Sequence, residues 1–142
     1  MGNDVHDGDV ESQDVDQPIE IAGESPHFVL HNGRGRLELF TKTKNGILRF
    51  TTIMLGSDGV LRMTNETGSN SVGIRSCRTQ IGRNFQDDLF KGYASTHVSR
   101  NHCELIIHNR GSVDFTAEMS IEISIENADS RLRNGTYYKH YE

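Results

Sequence analysis

One octapeptide constrains the fold more than any other stretch: Met119-Ser120-Ile121-Glu122-Ile123-Ser124-Ile125-Glu126. Apolar and polar residues alternate strictly, and successive side chains of a strand point to opposite faces. The pattern predicts a strand with Met119, Ile121, Ile123 and Ile125 on a buried face and its polar residues in water. A half-buried strand needs a second layer over its apolar face. Further strands are predicted at Phe28–His31, Arg36–Thr41, Ile47–Leu55, Val60–Thr64, Arg78–Ile81, Cys103–His108 and Ser112–Ala117, with Met119–Glu126 the clearest. Asn45-Gly46 and Asp58-Gly59 lie between apolar runs, as hairpin turns do, and Asn109-Arg110-Gly111 occupies a similar place later in the chain. No long stretch has a helical period. Many short strands with frequent glycine turns predict an all-β fold, an antiparallel β-sandwich.

At 142 residues the chain is read as one domain with room for a core. Its apolar fraction, 34%, is low for such a domain, and the N-terminal segment explains part of the deficit. Residues 1–26 hold Asp4, Asp7, Asp9, Glu11, Asp14, Asp16, Glu20 and Glu24 and no Lys or Arg. A segment with few apolar residues and charge of one sign cannot offset its ordering entropy. It is expected to be a disordered acidic tail whose removal spares the fold, with the sandwich spanning 27–142. The whole chain carries −5, but residues 27–142 hold 15 basic against 12 acidic groups. A mildly basic body suits an anionic ligand.

Several classes are set aside. The first residues lack the basic and apolar blocks of a signal peptide, and no apolar run reaches the length of a membrane span. Cys77 and Cys103 have no metal or redox spacing, so a reduced, intracellular setting is the default. His102 and Cys103 are adjacent and would point to opposite faces of a strand, which does not suit a nucleophile with its base. His102 and His108 are roughly 20 Å apart if both lie on one strand, too far to share an ion with His97. Neither catalysis nor a cofactor is expected.

What remains is an ordered set of loop residues. Thr79-Gln80-Ile81-Gly82-Arg83 places Arg83 where a strand gives way to a loop. Ser99-Arg100-Asn101-His102 lies just before the Cys103 strand. Asp129-Ser130-Arg131-Leu132-Arg133-Asn134-Gly135-Thr136 follows the alternating strand. Three loops thus carry a planar cation, a hydroxyl beside a second cation, and an amide, a set able to hold an oxyanion at a loop surface. Each also has an ordinary reading: Arg83 as a surface charge, Ser99 and Asn134 as turn residues bonding their own backbone, His102 as a scaffold residue.

The ordered set resembles the forkhead-associated domain, a β-sandwich family that binds phosphothreonine peptides. The family pattern is Gly-Arg, then Ser-x-x-His, then Asn-Gly-Thr with an Asp five residues before the Asn. Gly82-Arg83, Ser99 to His102, Asp129 and Asn134-Gly135-Thr136 match it in order, most strongly over residues 78–142. The resemblance implies that Arg83 and Ser99 contact a phosphate, that Arg100 adds a contact, and that Asn134 holds the peptide backbone. It implies structural roles for Gly82, His102, Asp129, Gly135 and Thr136. It further implies a phosphothreonine-bearing partner protein, a place in kinase or DNA-damage signalling, and a nuclear or cytoplasmic location with the nucleus favoured.

The family continues past Asn-Gly-Thr with about three more strands, for which this chain has no counterpart before Glu142. Strands from the N-terminal side could fill those places, the fold could be shortened, or a second chain could complete it. An open edge would invite a homodimer. Two other functions stay in view. One is a structural or assembly sandwich with no phosphate site. The other is a weak nucleic-acid module using Arg131, Arg133, Lys139 and the Tyr137-Tyr138 pair, ranked lower because the basic excess is small.

Overall fold

The computed structural model describes residues 17–90, 97–110, 119–128 and 135–142. The expected strand Ser112–Ala117, the acidic segment through Asp16, and Asp129, Arg131, Arg133 and Asn134 lie outside them. The elements in chain order are β1 (Ile19–Glu20), β2 (His27–His31), β3 (Arg36–Thr43), β4 (Gly46–Leu55), β5 (Leu61–Thr64), β6 (Ser71–Ile74), β7 (Arg78–Ile81), α1 (Asp87–Phe90), β8 (Cys103–Arg110), β9 (Ser120–Asn127) and β10 (Tyr137–Tyr141). The protein is an all-β sandwich of two antiparallel sheets, as the sequence pattern predicts. One sheet has the order β1-β10-β3-β4-β5-β6 and the other β2-β9-β8-β7.

The alternating octapeptide behaves as its period requires. Ile121, Ile123 and Ile125 are buried on the inner face of β9, and Met119 packs at its margin. Facing them across the sandwich are Leu37 and Leu39 of β3, Phe50 and Ile53 of β4, and Leu61 and Met63 of β5. One polar residue of the octapeptide departs from the pattern. Ser124 is also buried, because His108 reaches over it and bonds its hydroxyl at 2.7 Å.

Two of the expected turns are hairpin turns. Thr43 pairs with Gly46 across Lys44-Asn45, and φ at Gly59 is +82°, a left-handed value that glycine adopts without steric cost. The third is not a turn at its start. Asn109 and Arg110 belong to β8 and pair with Glu122 and Ile121. Irregular register between Ile107 and Asn109 lets the strand run on past the polar residues.

A second bulge matters more for the site. Leu39 pairs with Thr51 but Phe40 pairs with Arg49, so Phe50 is the extra residue of β4. The phase change lets Phe50 and Thr51 both be buried. Phe50 thereby reaches His102 and Phe90, with ring centroids 4.9 and 5.8 Å away.

The start of the ordered fold corrects the sequence reading. The acidic segment does not run to Pro26: β1 pairs Ile19 with Tyr138 and Glu20 with Tyr137. Ile21 is a core residue, and its N–H donates to the Thr136 carbonyl at 2.8 Å. Charge density outweighed a single well-placed isoleucine in the sequence argument. A deletion through Ser25 would remove both β1 and this core residue. Both neighbours of β10 come from the N-terminal side, since it lies between β1 and β3, and β9 takes one neighbour, β2, from that side.

Candidate functional site

β7 ends at the fully buried Ile81, and the chain then turns sharply. The Gly82 carbonyl accepts from the N–H groups of Phe85 and Gln86, at 3.1 and 3.0 Å. The Gln86 side chain closes the same turn from the other side. Its oxygen accepts from Gly82 N–H at 3.0 Å and its amide donates to the Gln80 carbonyl at 2.8 Å. Arg83 is thus presented on a turn closed by backbone and side-chain bonds at Gly82.

The loop before β8 lies directly against this turn. Arg83 N–H donates to the Ser99 carbonyl at 3.1 Å, and Asn84 N–H donates to the Arg100 carbonyl at 3.0 Å. His102 N–H donates back to the Ile81 carbonyl at 2.8 Å. The far end of the loop is pinned by Thr41, whose buried hydroxyl donates to the His97 carbonyl at 3.0 Å. Gly82 makes this approach possible. A Cβ there would overlap the Arg100 carbonyl and lie 2.9 Å from His102 N.

His102 joins the third loop to the other two. Its Nδ1 accepts from Ser99 N–H at 3.1 Å, so the proton of the neutral ring sits on Nε2 and donates to the Gly135 carbonyl at 2.9 Å. The ring is fully buried against Phe50. Burial lowers its pKa to about 4, only partly opposed by the bond to Gly135, so the imidazole is neutral at physiological pH. Gly135 itself has φ of +71°, and Thr136 beyond it is fully buried. The Thr136 hydroxyl has no partner among the described residues.

Gly82, Arg83, Ser99, Arg100, His102 and Gly135 are therefore brought together by three backbone bonds and one imidazole. The Arg83 Nε donates to the Val98 carbonyl at 2.5 Å, which fixes the guanidinium plane and leaves both terminal nitrogens without a partner among the described residues. Ser99 is half-buried and Arg100 exposed. Neither the Ser99 hydroxyl nor the Arg100 guanidinium bonds another described residue. Two cations and a hydroxyl whose donors have no partner among the described residues, on backbone held from behind, can accept an oxyanion. The sequence did not reveal Gln86, Val98 or Phe50 as supports. Gln86 acts through side-chain reach and Val98 through a carbonyl, neither of which leaves a pattern.

Among the described residues no three His, Cys, Asp or Glu side chains are placed to hold an ion. Cys103 is fully buried, and that burial pushes its thiol well above the usual range, away from thiolate reactivity. His108 stacks on His27 at 4.5 Å on the outside of the sandwich, remote in role from the core-facing His102. Tyr138 packs edge-on against Phe28 at the core, and Lys139, half-buried, lies over the half-buried Phe40 ring at 6.0 Å. No helix among the described residues is long and apolar enough to cross a membrane.

Gly82→Ala tests the loop junction without touching a proposed ligand group. The added methyl must push the Arg83 turn off the Arg100 carbonyl, and such overpacking costs about 1–3 kcal/mol. Urea denaturation of the variant should show that loss. Unchanged stability would mean that the two loops are not held in this close contact.

Comparison with family models, with curated proteins and with solved structures finds no match to the chain.

Proposed function

We propose that this chain is a forkhead-associated-like module that recognises phosphothreonine on a partner protein and carries out no chemistry itself. The observation that carries this reading is the cross-bracing of the loops at His102: Arg83 and Ser99 are joined through their backbones, and the His102 ring bonds both Ser99 and Gly135. A phosphothreonine brings about two negative charges and three acceptor oxygens. The terminal nitrogens of Arg83 would fork onto two oxygens, the Ser99 hydroxyl would donate to one, and Arg100 would add charge from the rim. Asn134 would hold the peptide backbone, as the chain neighbour of a glycine that His102 fixes in place. The low net basicity of the body suits one phosphate rather than a polyanion, which favours this reading over nucleic-acid binding.

Amide shifts on adding a phosphothreonine peptide provide the test. The largest should fall on Arg83, Ser99, Arg100 and Gly135, and the unphosphorylated twin should leave those amides in place. Shifts confined to another face would overturn the assignment of the site.

A further inference from the structure

A groove of about 660 Å3 beside β6 is lined by Ser71 and Val72 and by Phe85, Asp87 and Asp88 of the segment that follows Arg83. Among the described residues β6 is the last strand of its sheet, paired with β5 alone. Asn65 N–H bonds the Asn70 carbonyl, and Met63 pairs with Val72 and Leu61 with Ile74. Hydrogen-bonded pairs alternate along an antiparallel ladder. The N–H and C=O groups of Ser71 and Gly73 therefore point away from β5, to the free edge. An edge of this kind is a template for an incoming strand.

The side chains around that edge say what it would take. Val72 and Phe85 are large apolar residues left 39% and 48% exposed, and both line the groove, from different segments of the chain. Asp87 and Asp88 are exposed, and no described cation pairs with either. No basic residue is among the described residues that line the groove. The second lining segment begins two residues after Arg83, so Phe85 lies within about 7 Å of it along the chain.

We propose that this groove receives an extended flank of the phosphothreonine partner as a strand added to β6, with an apolar side chain between Val72 and Phe85 and a Lys or Arg against Asp87 and Asp88. The inference rests on the phosphothreonine reading for its anchor. An extended flank advances about 3.3 Å per residue, so the groove begins within a few residues of the phosphate. Phosphate affinity and flank selection would then come from adjoining but separate groups.

Two sets of phosphothreonine peptides, with Lys or with Asp fixed at the flanking positions and all others degenerate, test it together with their unphosphorylated twins. The wild-type chain should favour the Lys set by about threefold to tenfold at low salt, the range of one or two exposed ion pairs. Asp87→Lys with Asp88→Lys should cancel or invert that preference while phosphate dependence stays. Binding of the Lys set should also slow hydrogen exchange at the Ser71 and Gly73 amides. Ser71→Pro removes one outward N–H at an edge position that tolerates proline, and should weaken the Lys set several-fold. Equal binding of the two sets, a preference untouched by the charge reversal, or unchanged exchange at Ser71 and Gly73 would overturn the proposal. Twins that bind as well as the phosphorylated Lys set, with the charge preference intact, would uphold the groove and overturn the phosphate reading instead.

Discussion

Replacing His102 by Ala should lower stability by about 3 kcal/mol at neutral pH. The ring satisfies two backbone groups, Ser99 N–H and the Gly135 carbonyl, from a fully buried position. Each buried group left unpaired costs about 1–3 kcal/mol, and removing the ring also empties space beside Phe50. The same residue makes the wild-type fold acid-sensitive. Burial holds the folded-state pKa at about 4, against an ordinary value of 6.5. Between those values the unfolded chain binds the proton and the folded chain does not, so stability rises with pH. The His102 contribution is complete above pH 6.5, is lost progressively as pH falls toward 4, and flattens below that. A gap of this size is worth on the order of 3 kcal/mol. Chemical denaturation of wild type and His102→Gln at several pH values isolates it, because other groups titrate in both proteins. The variant should lack this part of the slope. Parallel stability curves for the two would show that His102 is not the buried neutral brace described above.

Arg83→Ala should act in the opposite way, on binding far more than on folding. Loss of one partner of a desolvated charge pair costs on the order of 2–5 kcal/mol of binding. A micromolar phosphopeptide complex is worth roughly 8 kcal/mol, so the variant should bind at millimolar levels or not measurably. The cost to folding is small but not zero, since the Arg83 Nε bond to the Val98 carbonyl is lost, and a net hydrogen bond is worth about 1 kcal/mol. Arg83→Lys keeps the charge but has neither the fork nor the Nε donor, and should recover only part of the affinity. Calorimetric titration with one phosphothreonine peptide, beside a melting curve for each variant, separates the two effects. Wild-type affinity in Arg83→Ala would remove the phosphate site from this loop.

The division between what the sequence shows and what it hides follows the reach of each signal. A period of two is local, so β9 and its buried isoleucines are legible, and so is the sandwich that such strands require. β1 and β6 are not. Ile19–Glu20 is too short for a period and sits among carboxylates, and Ser71–Ile74 is mostly exposed with a glycine inside it. Their strand character comes from pairing with β10 and β5, which is tertiary. The order of Gly82-Arg83, Ser99 and His102 marks the loops that meet, because those residues stand at strand ends. How they meet depends on contacts without sequence periodicity: the Gln86 amide, the Val98 carbonyl, and the bulge that turns Phe50 under the imidazole. The role expected for Asn134 falls outside the described residues, and Gly135 and Thr136 are the nearest positions that frame it.

The most direct measurement is a titration of the full chain with a degenerate phosphothreonine peptide library and with the same library unphosphorylated, at matched ionic strength. Saturable binding of the phosphorylated library alone is expected, weakened but not abolished by added salt. Equal binding of both libraries, or binding of neither, would contradict the phosphothreonine reading.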